Sequence, residues 1–107
     1  MGNSITSRAI NELNTYKQML QIYVNMRHEA SNRLRTELET PTPRDDYVQS
    51  LADHVVRQNH NMSRLRMNIV DIRERLQECG ASHNQAIGLG DCNSLLVVID
   101  SYVPTML

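Results

Sequence analysis

The first residues of the chain carry the clearest pattern for covalent chemistry. The run 1–6 matches the pattern M-G-x-x-x-[ST] for N-myristoylation, in which removal of Met1 leaves the amine of Gly2 open to acylation. One myristoyl chain holds a protein at a membrane only marginally, and no polybasic run follows, so an oligomer would have to present several chains together. In a eukaryotic or viral host the pattern predicts a lipid anchor at Gly2, against the alternative that Ser4, Thr6 or Ser7 caps the first helix.

A second group combines two histidines with two carboxylates. In an antiparallel helix pair whose opposite residues have numbers that sum to about 83, His28 approaches His54 and Glu29 approaches Asp53. Such a donor set can bind a metal. The region also contains Gln58 and several asparagines, which favour either a polar layer that fixes helix alignment or oligomeric state, or a solvent-exposed face. We therefore predict no metal site and no cofactor.

Three arginines in the second half of the chain share one face of a helix. Arg57, Arg64 and Arg75 are spaced by seven and eleven residues, and both spacings return to the same side of an α-helix. This face could bind the phosphates of double-stranded RNA, which proteins recognise largely by shape. Asp71 and Glu78 interrupt the arginines, a pattern that is typical of a solvated face with salt bridges. Nucleic-acid binding is therefore the alternative function.

The cysteines do not form a recognisable metal or disulfide motif. Cys79, His83, Asp91 and Cys92 lack the spacing of zinc ligands, and two cysteines do not imply a disulfide scaffold. We expect both thiols to be buried and reduced, in a cytoplasmic setting. The run 88–90 (Gly-Leu-Gly) is too short to be a phosphate-binding loop and is predicted to be a hinge.

The composition and motifs indicate one small domain without a recognisable catalytic motif. The 107 residues carry a formal net charge of −1 and include no Trp and no Phe, so the core should be thin and association should compensate for it. No apolar run approaches the ~20 residues needed to cross a bilayer. No nucleophile motif and no paired-acid motif is visible. We therefore predict a non-enzymatic protein that forms homo-oligomers or binds a helical partner.

Apolar residues recur at intervals of three and four along most of the chain, which predicts helices. The first stripe runs from residue 4 to Leu38, and Pro41 disfavours the helical conformation of Thr40, so this helix should end near Glu39. The second stripe runs from Tyr47 to residue 79 and is interrupted only around residue 58. Both helices are about 35 residues long, which favours antiparallel packing across a short turn.

The boundaries of the second helix follow from local signals. Thr42 can act as the N-cap, Pro43 suits the first helical position, and Asp45 falls three residues after the cap. At the other end, Gly80 should provide a left-handed C-terminal cap. Beyond it we predict a loop over 81–90, in which Ser82 can begin one helical turn, and a short element that begins at Asp91.

The predicted fold is all-α, with three segments. Residues 1–6 form a flexible N-terminus, residues 7–79 form a long, coiled-coil-like antiparallel two-helix hairpin with its turn at 40–43, and residues 80–107 form a loop and a short apolar element. In that last element Leu95, Val98, Ile99 and Tyr102 would share a helical face. The β-branched run 97–99 leaves a strand as the alternative.

The apolar stripes also supply the surface through which we expect association. Its residues are Leu13, Leu20, Val24, Leu51, Val55, Met62, Leu65, Ile69, Ile72 and Leu76. With a Gly2 motif followed at once by helices, the layout resembles that of many viral matrix and accessory proteins. The resemblance implies a scaffold or adaptor, peripheral membrane contact through Gly2, and a place at the cytosolic face of a membrane.

Overall fold

The computed structural model describes residues 3–103, with side chains from residue 5 onward, and this part of the chain contains three helices. They are α1 (Asn3–Leu38), α2 (Asp45–Gln77) and α3 (His83–Tyr102). The prediction of an all-α chain is confirmed, and no strand occurs in residues 3–103. The alternative of a strand at 97–99 is therefore wrong. Because α1 begins at Asn3, the helix also includes residues 3–6, which the sequence assigned to a flexible N-terminus.

Helices α1 and α2 run antiparallel. Arg75 approaches Glu12 near one end, and the Arg27 guanidinium donates to the Asn59 side chain near the middle. Both contacts are made by long arginine side chains, which reach about one helical turn along a neighbouring helix. The register in which opposite residues have numbers that sum to about 83 therefore stays a prediction.

The turn between α1 and α2 is held by a different residue from the one that the sequence indicated. Thr42 is not the N-cap; the cap position is Arg44, whose side chain makes no capping hydrogen bond. Instead the backbone N–H of Arg44 donates to the buried carboxylate of Glu37. A long-range carboxylate therefore satisfies an orphan donor at the start of α2, and it replaces the local Thr-Pro cap.

The end of α2 and the start of α3 also differ from the prediction. Gly80 has no positive φ, so it is not a left-handed cap. Helix α3 begins at His83 instead of after Asp91, because Ser82 accepts a hydrogen bond from the backbone N–H of Gln85 and acts as the N-cap. The run 88–90 lies inside α3 and is not a hinge.

Side chains of all three helices form one core. The fully buried residues include Leu13 of α1, Ile69 of α2 and Ile99 of α3. Of the ten residues predicted to form an association surface, Val24 and Val55 are half-buried and the other eight are buried within the chain itself. These eight side chains therefore stabilise the fold of the chain itself.

One buried residue of α2 is polar. Gln58 is 2 % exposed and lies in the buried stripe of α2, seven residues from both Leu51 and Leu65. Its side-chain oxygen accepts a hydrogen bond from Asn61. The interruption of the apolar stripe at this point is therefore a polar core position and not a gap in the helix face.

None of the helices in the described chain is both long enough and apolar enough to span a membrane.

Candidate functional site: the α1–α2 groove

A surface groove follows the seam between α1 and α2. It consists of four depressions in succession, and every residue that lines them belongs to α1, α2 or the turn between them. The depressions begin at Ile5 and Leu76 and end at Glu37 and Arg44. The largest has a volume of about 620 Å³ and has Ala30 and Leu51 among its lining residues. We call this feature the α1–α2 groove.

A seven-residue repeat in both helices makes the groove continuous. A helix whose repeat is seven residues keeps the same side turned to its neighbour over many turns. The residues of α1 that line the groove in heptad steps are Ile5, Glu12, Met19, Met26 and Arg33. Those of α2 are Tyr47, His54, Asn61, Asn68 and Arg75.

The two walls of the groove differ in chemistry. The α1 wall carries exposed apolar side chains, with Ile5 56 % and Met26 37 % exposed. Ile22 is 55 % exposed and lies one turn before Met26 on α1, although it lines none of the four depressions. The α2 wall is polar and carries the arginines that the sequence placed on one face: Arg57, Arg64 and Arg75 each line a depression of this groove. The three arginines therefore lie along one side of α2.

Arginine is concentrated along this groove. Six of the ten arginines of the chain line it, namely Arg8, Arg33, Arg44, Arg57, Arg64 and Arg75. Guanidinium groups make directional, bidentate contacts to carboxylates, and they are more weakly hydrated than ammonium groups. A wall built with arginine therefore suits the recognition of carboxylates or phosphates.

Three of these arginines already have a carboxylate partner. Arg75 lies 3.8 Å from Glu12, Arg33 lies 2.9 Å from Glu29, and Arg44 makes two side-chain hydrogen bonds of 2.9 and 3.2 Å to Glu37. The hydrogen bonds from the Arg44 side chain and backbone lower the pKa of Glu37. These pairs fix the ends of the groove and leave fewer arginines available to a ligand.

Two arginines near the centre of the α2 wall have no carboxylate partner among the contacts of the described residues. Arg64 donates to the Asn61 side-chain oxygen at 2.6 Å, and Arg57 is exposed at the margin of the largest depression. They are seven residues apart, or about 10 Å along the helix axis. These two guanidinium groups, on the same side of α2, could pair with carboxylates of a ligand.

Comparison with known proteins gives no match for this chain. No protein-family model matches it, and neither a curated protein nor a solved structure shows significant similarity to it. The geometry of the α1–α2 groove is therefore the basis for a functional proposal.

The four residues that suggested a metal site are not brought together. Glu29, Asp53 and His54 line the largest depression, whereas the Nε2 atom of His28 lies 3.0 Å from the Tyr102 hydroxyl, next to α3. The predicted approach of His28 to His54 is therefore wrong. In residues 3–103 no cluster of three or more His, Cys, Asp or Glu side chains is placed to bind a metal ion.

The cysteines are separate and reduced. Cys92 is fully buried in the core and Cys79 is half-buried at the end of α2. Burial raises the pKa of the Cys92 thiol. The expectation of a buried thiol therefore holds fully for Cys92 and only in part for Cys79.

A polar junction on the other side of the α1–α2 pair holds the end of α3. The Tyr102 ring stacks edge-on against His28 with centroids 5.4 Å apart, and the Arg27 guanidinium lies 5.4 Å from the ring centroid. Arg27 also donates to Asn59. The polar centre of the helix pair therefore anchors α3, a role that the sequence did not reveal because Tyr102 was assigned only to an apolar face.

Sequence reasoning also missed the exposed apolar residues of α1. Ile5, Ile22 and Met26 were not part of the predicted association surface, which contained the core positions. A second apolar row could have revealed them. Met19 and Met26 are seven residues apart, like the core positions, and Met19 comes one position before the buried Leu20. Gly2, the candidate lipidation site, lies outside the described residues.

Proposed function

We propose that this chain is a non-enzymatic helical scaffold or adaptor that acts through protein–protein association. In this proposal α1 and α2 form a coiled-coil-like hairpin that binds the partner, and α3 packs against one side of the hairpin. The observation that carries the proposal is the exposure of Ile22 and Met26, which lie one turn apart on α1, with Ile5 exposed near the start of the same helix. Clustered exposed apolar side chains are typical of an interaction site in a folded chain.

The shape of the molecule supports the proposal. The principal extents are 63 × 27 × 16 Å, so most residues lie close to the surface. The total accessible surface is 7284 Å², whereas a compact monomer of 12.3 kDa exposes about 6,100 Å². An elongated chain of this kind leaves more surface available for association than a compact one.

Light scattering and sedimentation of the full chain test association directly. We expect a homo-oligomer at micromolar concentration and a melting temperature that rises with protein concentration. Ile22→Lys should weaken the assembly, whereas Val97→Lys, at an exposed apolar position of α3, is the matched control. A monomer with a sharp, concentration-independent thermal transition would rule out self-association as the function.

We also propose a lipid anchor at Gly2, on the sequence pattern alone and for a host in which Met1 is the initiator. Intact-mass spectrometry of the protein from eukaryotic cells should then show a myristoyl addition, and flotation with vesicles should be lost in Gly2→Ala. An unmodified intact mass would remove this part of the proposal and leave association untouched.

Nucleic-acid binding is the second candidate, and the groove gives one observation in its favour. Arg57, Arg64 and Arg75 all line the same wall. This candidate predicts binding of an RNA duplex that weakens steeply with salt and falls when Arg64 and Arg75 are replaced by Ala. Binding that does not depend on either arginine would eliminate it.

A further inference from the structure

We infer that the α1–α2 groove is a docking site for an amphipathic helix of another protein, with an aliphatic face and a row of carboxylates along one edge. This inference rests on the proposed function and names its partner. Exposed apolar side chains of α1 and arginines of α2 without a carboxylate partner favour two different kinds of side chain on the docked helix.

The length and repeat of the groove fit a helix. From Ile5 to Glu37 the α1 wall covers about 50 Å at 1.5 Å per residue. A helix laid along a seam between two helices contacts both walls at intervals of three, four and seven residues. The walls have the same heptad spacing, with Met19 and Met26 on one side and Asn61 and Asn68 on the other.

The α1 wall selects an aliphatic face. Met26 and Met19 line the groove, with Met26 exposed and Met19 half-buried, and the exposed Ile22 lies between them in α1. Methionine side chains are flexible and adapt to aliphatic surfaces of different shapes. Ile5 and the lining residues Ala9 and Leu76 extend the apolar surface at the end of the groove that lies near the start of α1.

The α2 wall selects carboxylates. Arg57 and Arg64 face the groove without a carboxylate partner in the described part of the chain. Two acidic residues seven apart on a docked helix would meet both guanidinium groups. Such pairs at the edge of an interface remain partly solvated and give specificity and register more than affinity.

The charge distribution of the groove does not favour a nucleic acid. Arg33, Arg44 and Arg75 are paired with Glu29, Glu37 and Glu12, so each pair is close to neutral. Asp46 and Asp53 line the same depression as Arg57, so the groove has no continuous positive surface for a duplex with one negative charge per ~1.7 Å. A helix that places one carboxylate at Arg57 and one at Arg64 needs only these two local contacts. The exposed apolar side chains of α1 would also make no favourable contact with a phosphate backbone.

The test uses the full chain and three labelled probes. The first is a synthetic helix of about 21 residues with leucines on one face and glutamates spaced by seven along the edge. The second replaces these glutamates with lysines. The third is an RNA duplex of about 16 base pairs, the length that one double-stranded RNA-binding domain spans. Binding is followed by fluorescence anisotropy at low and high salt.

Charge reversal in the groove is compared with charge reversal outside it. Arg57→Glu and Arg64→Glu, singly and together, alter the α2 wall at exposed positions, so the fold should persist. Arg35→Glu changes an exposed arginine of α1 outside the groove and is the matched control. We expect the glutamate peptide to bind at least about tenfold more tightly than the lysine peptide, with the preference reversed in the double variant and unchanged in Arg35→Glu.

The remaining outcomes overturn the inference in different ways. Equal binding of both peptides, no binding of either, or the same loss in Arg35→Glu removes the groove as an acidic-helix site. Binding of the RNA probe alone, lost in the double variant, assigns the groove to nucleic acid. If neither peptide binds but the chain forms a homo-oligomer unaffected by the groove variants, association stands as the function and only this docking site fails. If the groove variants break that oligomer, a second copy is the occupant.

Discussion

Glu37 shows how a single buried carboxylate can organise a turn. It is 7 % exposed, and it accepts hydrogen bonds from both the backbone N–H and the guanidinium of Arg44, seven residues later. Arg44 in turn lies over the Tyr47 ring, 4.5 Å from its centroid. The carboxylate therefore connects the end of α1, the turn and the first turn of α2.

The stabilising effect of Glu37 should depend on pH. Arg44 lowers its pKa below the ordinary value of 4.5, so the folded chain binds fewer protons than the unfolded chain. The contribution is therefore complete above about pH 4.5 and is lost as the pH falls through the folded-state pKa. We expect Glu37→Gln to lower the urea midpoint at pH 7, and the difference from wild type to shrink below pH 4.5.

Glu29→Gln is the matched control for this prediction. Glu29 pairs with Arg33 at 2.9 Å, but its side chain is 64 % exposed, and exposed ion pairs contribute little to stability. We therefore expect Glu29→Gln to leave the urea midpoint nearly unchanged at either pH. Equal effects of the two substitutions would show that the turn does not depend on Glu37.

The two thiols should differ in their reactivity. Thiolate is the reactive form, and Cys92 is fully buried with a raised pKa, whereas Cys79 is half-buried at the end of α2. We expect Ellman's reagent to modify one thiol within minutes and the second only as the chain unfolds. Cys79→Ser should abolish the fast phase, and Cys92→Ser should leave it unchanged. Two fast phases in the wild type would contradict the packing of α3 on the core.

The sequence predicted apolar side chains in the core more successfully than polar ones. Leu13 and Ile69 lie on clear stripes and are fully buried, as the helical period requires. Gln58 was assigned to a polar region. The sequence does not show whether the side-chain oxygen of a glutamine accepts a hydrogen bond from water or, as here, from Asn61 inside the fold. A hydrogen bond between distant residues, such as that of Arg44 to Glu37, leaves no periodic signal at all.

At the scale of the elements, α3 is the largest departure from expectation. Its glycines, Gly88 and Gly90, disfavour a helix locally, which is why the sequence indicated a loop. Packing overrides this preference. A Cβ built on Gly88 would lie 2.7 Å from Cδ1 of Leu76, so the absence of a side chain allows α3 to approach α2 closely. The sequence could not show this approach, because it depends on a contact between two elements.

The two glycines of α3 should respond in opposite ways to alanine. Gly90→Ala adds a methyl group where no atom lies within 4 Å and should stabilise the chain by about 0.5–1 kcal/mol through helix propensity. Gly88→Ala must displace the fully buried Leu76 and should cost about 1 kcal/mol or more, since overpacking exceeds the propensity gain. Chemical denaturation of both variants provides the measurement. Stabilisation by both alanines would show that α3 does not pack on Leu76.

At the scale of the whole molecule, α3 gives the helix pair a core on only part of its length. Arg66 bonds Asp100 and Lys17 bonds Asp91, so α3 is attached to both long helices. It ends at Tyr102, opposite His28, and leaves the last ten residues of α1 beside α2 alone. In that part of α1 the buried side chains are Ala30 and Glu37, which is a thin core. The fold is therefore best protected near the start of α1 and most open near the 40–43 turn.

Removal of α3 should therefore destroy the cooperative fold, although both long helices remain. A chain that ends at Gly80 loses the buried residues Cys92, Leu96 and Ile99 and exposes the apolar positions of α1 and α2 that they cover. We expect a broad thermal transition by circular dichroism and association at micromolar concentration in sedimentation, because two helices alone cannot bury both stripes. In the full chain, Ile99→Ala should lower the unfolding free energy by about 2–5 kcal/mol while the helix content persists. A monomeric, sharply melting chain of residues 1–80 would instead establish the helix pair as an independent fold and reduce α3 to an accessory.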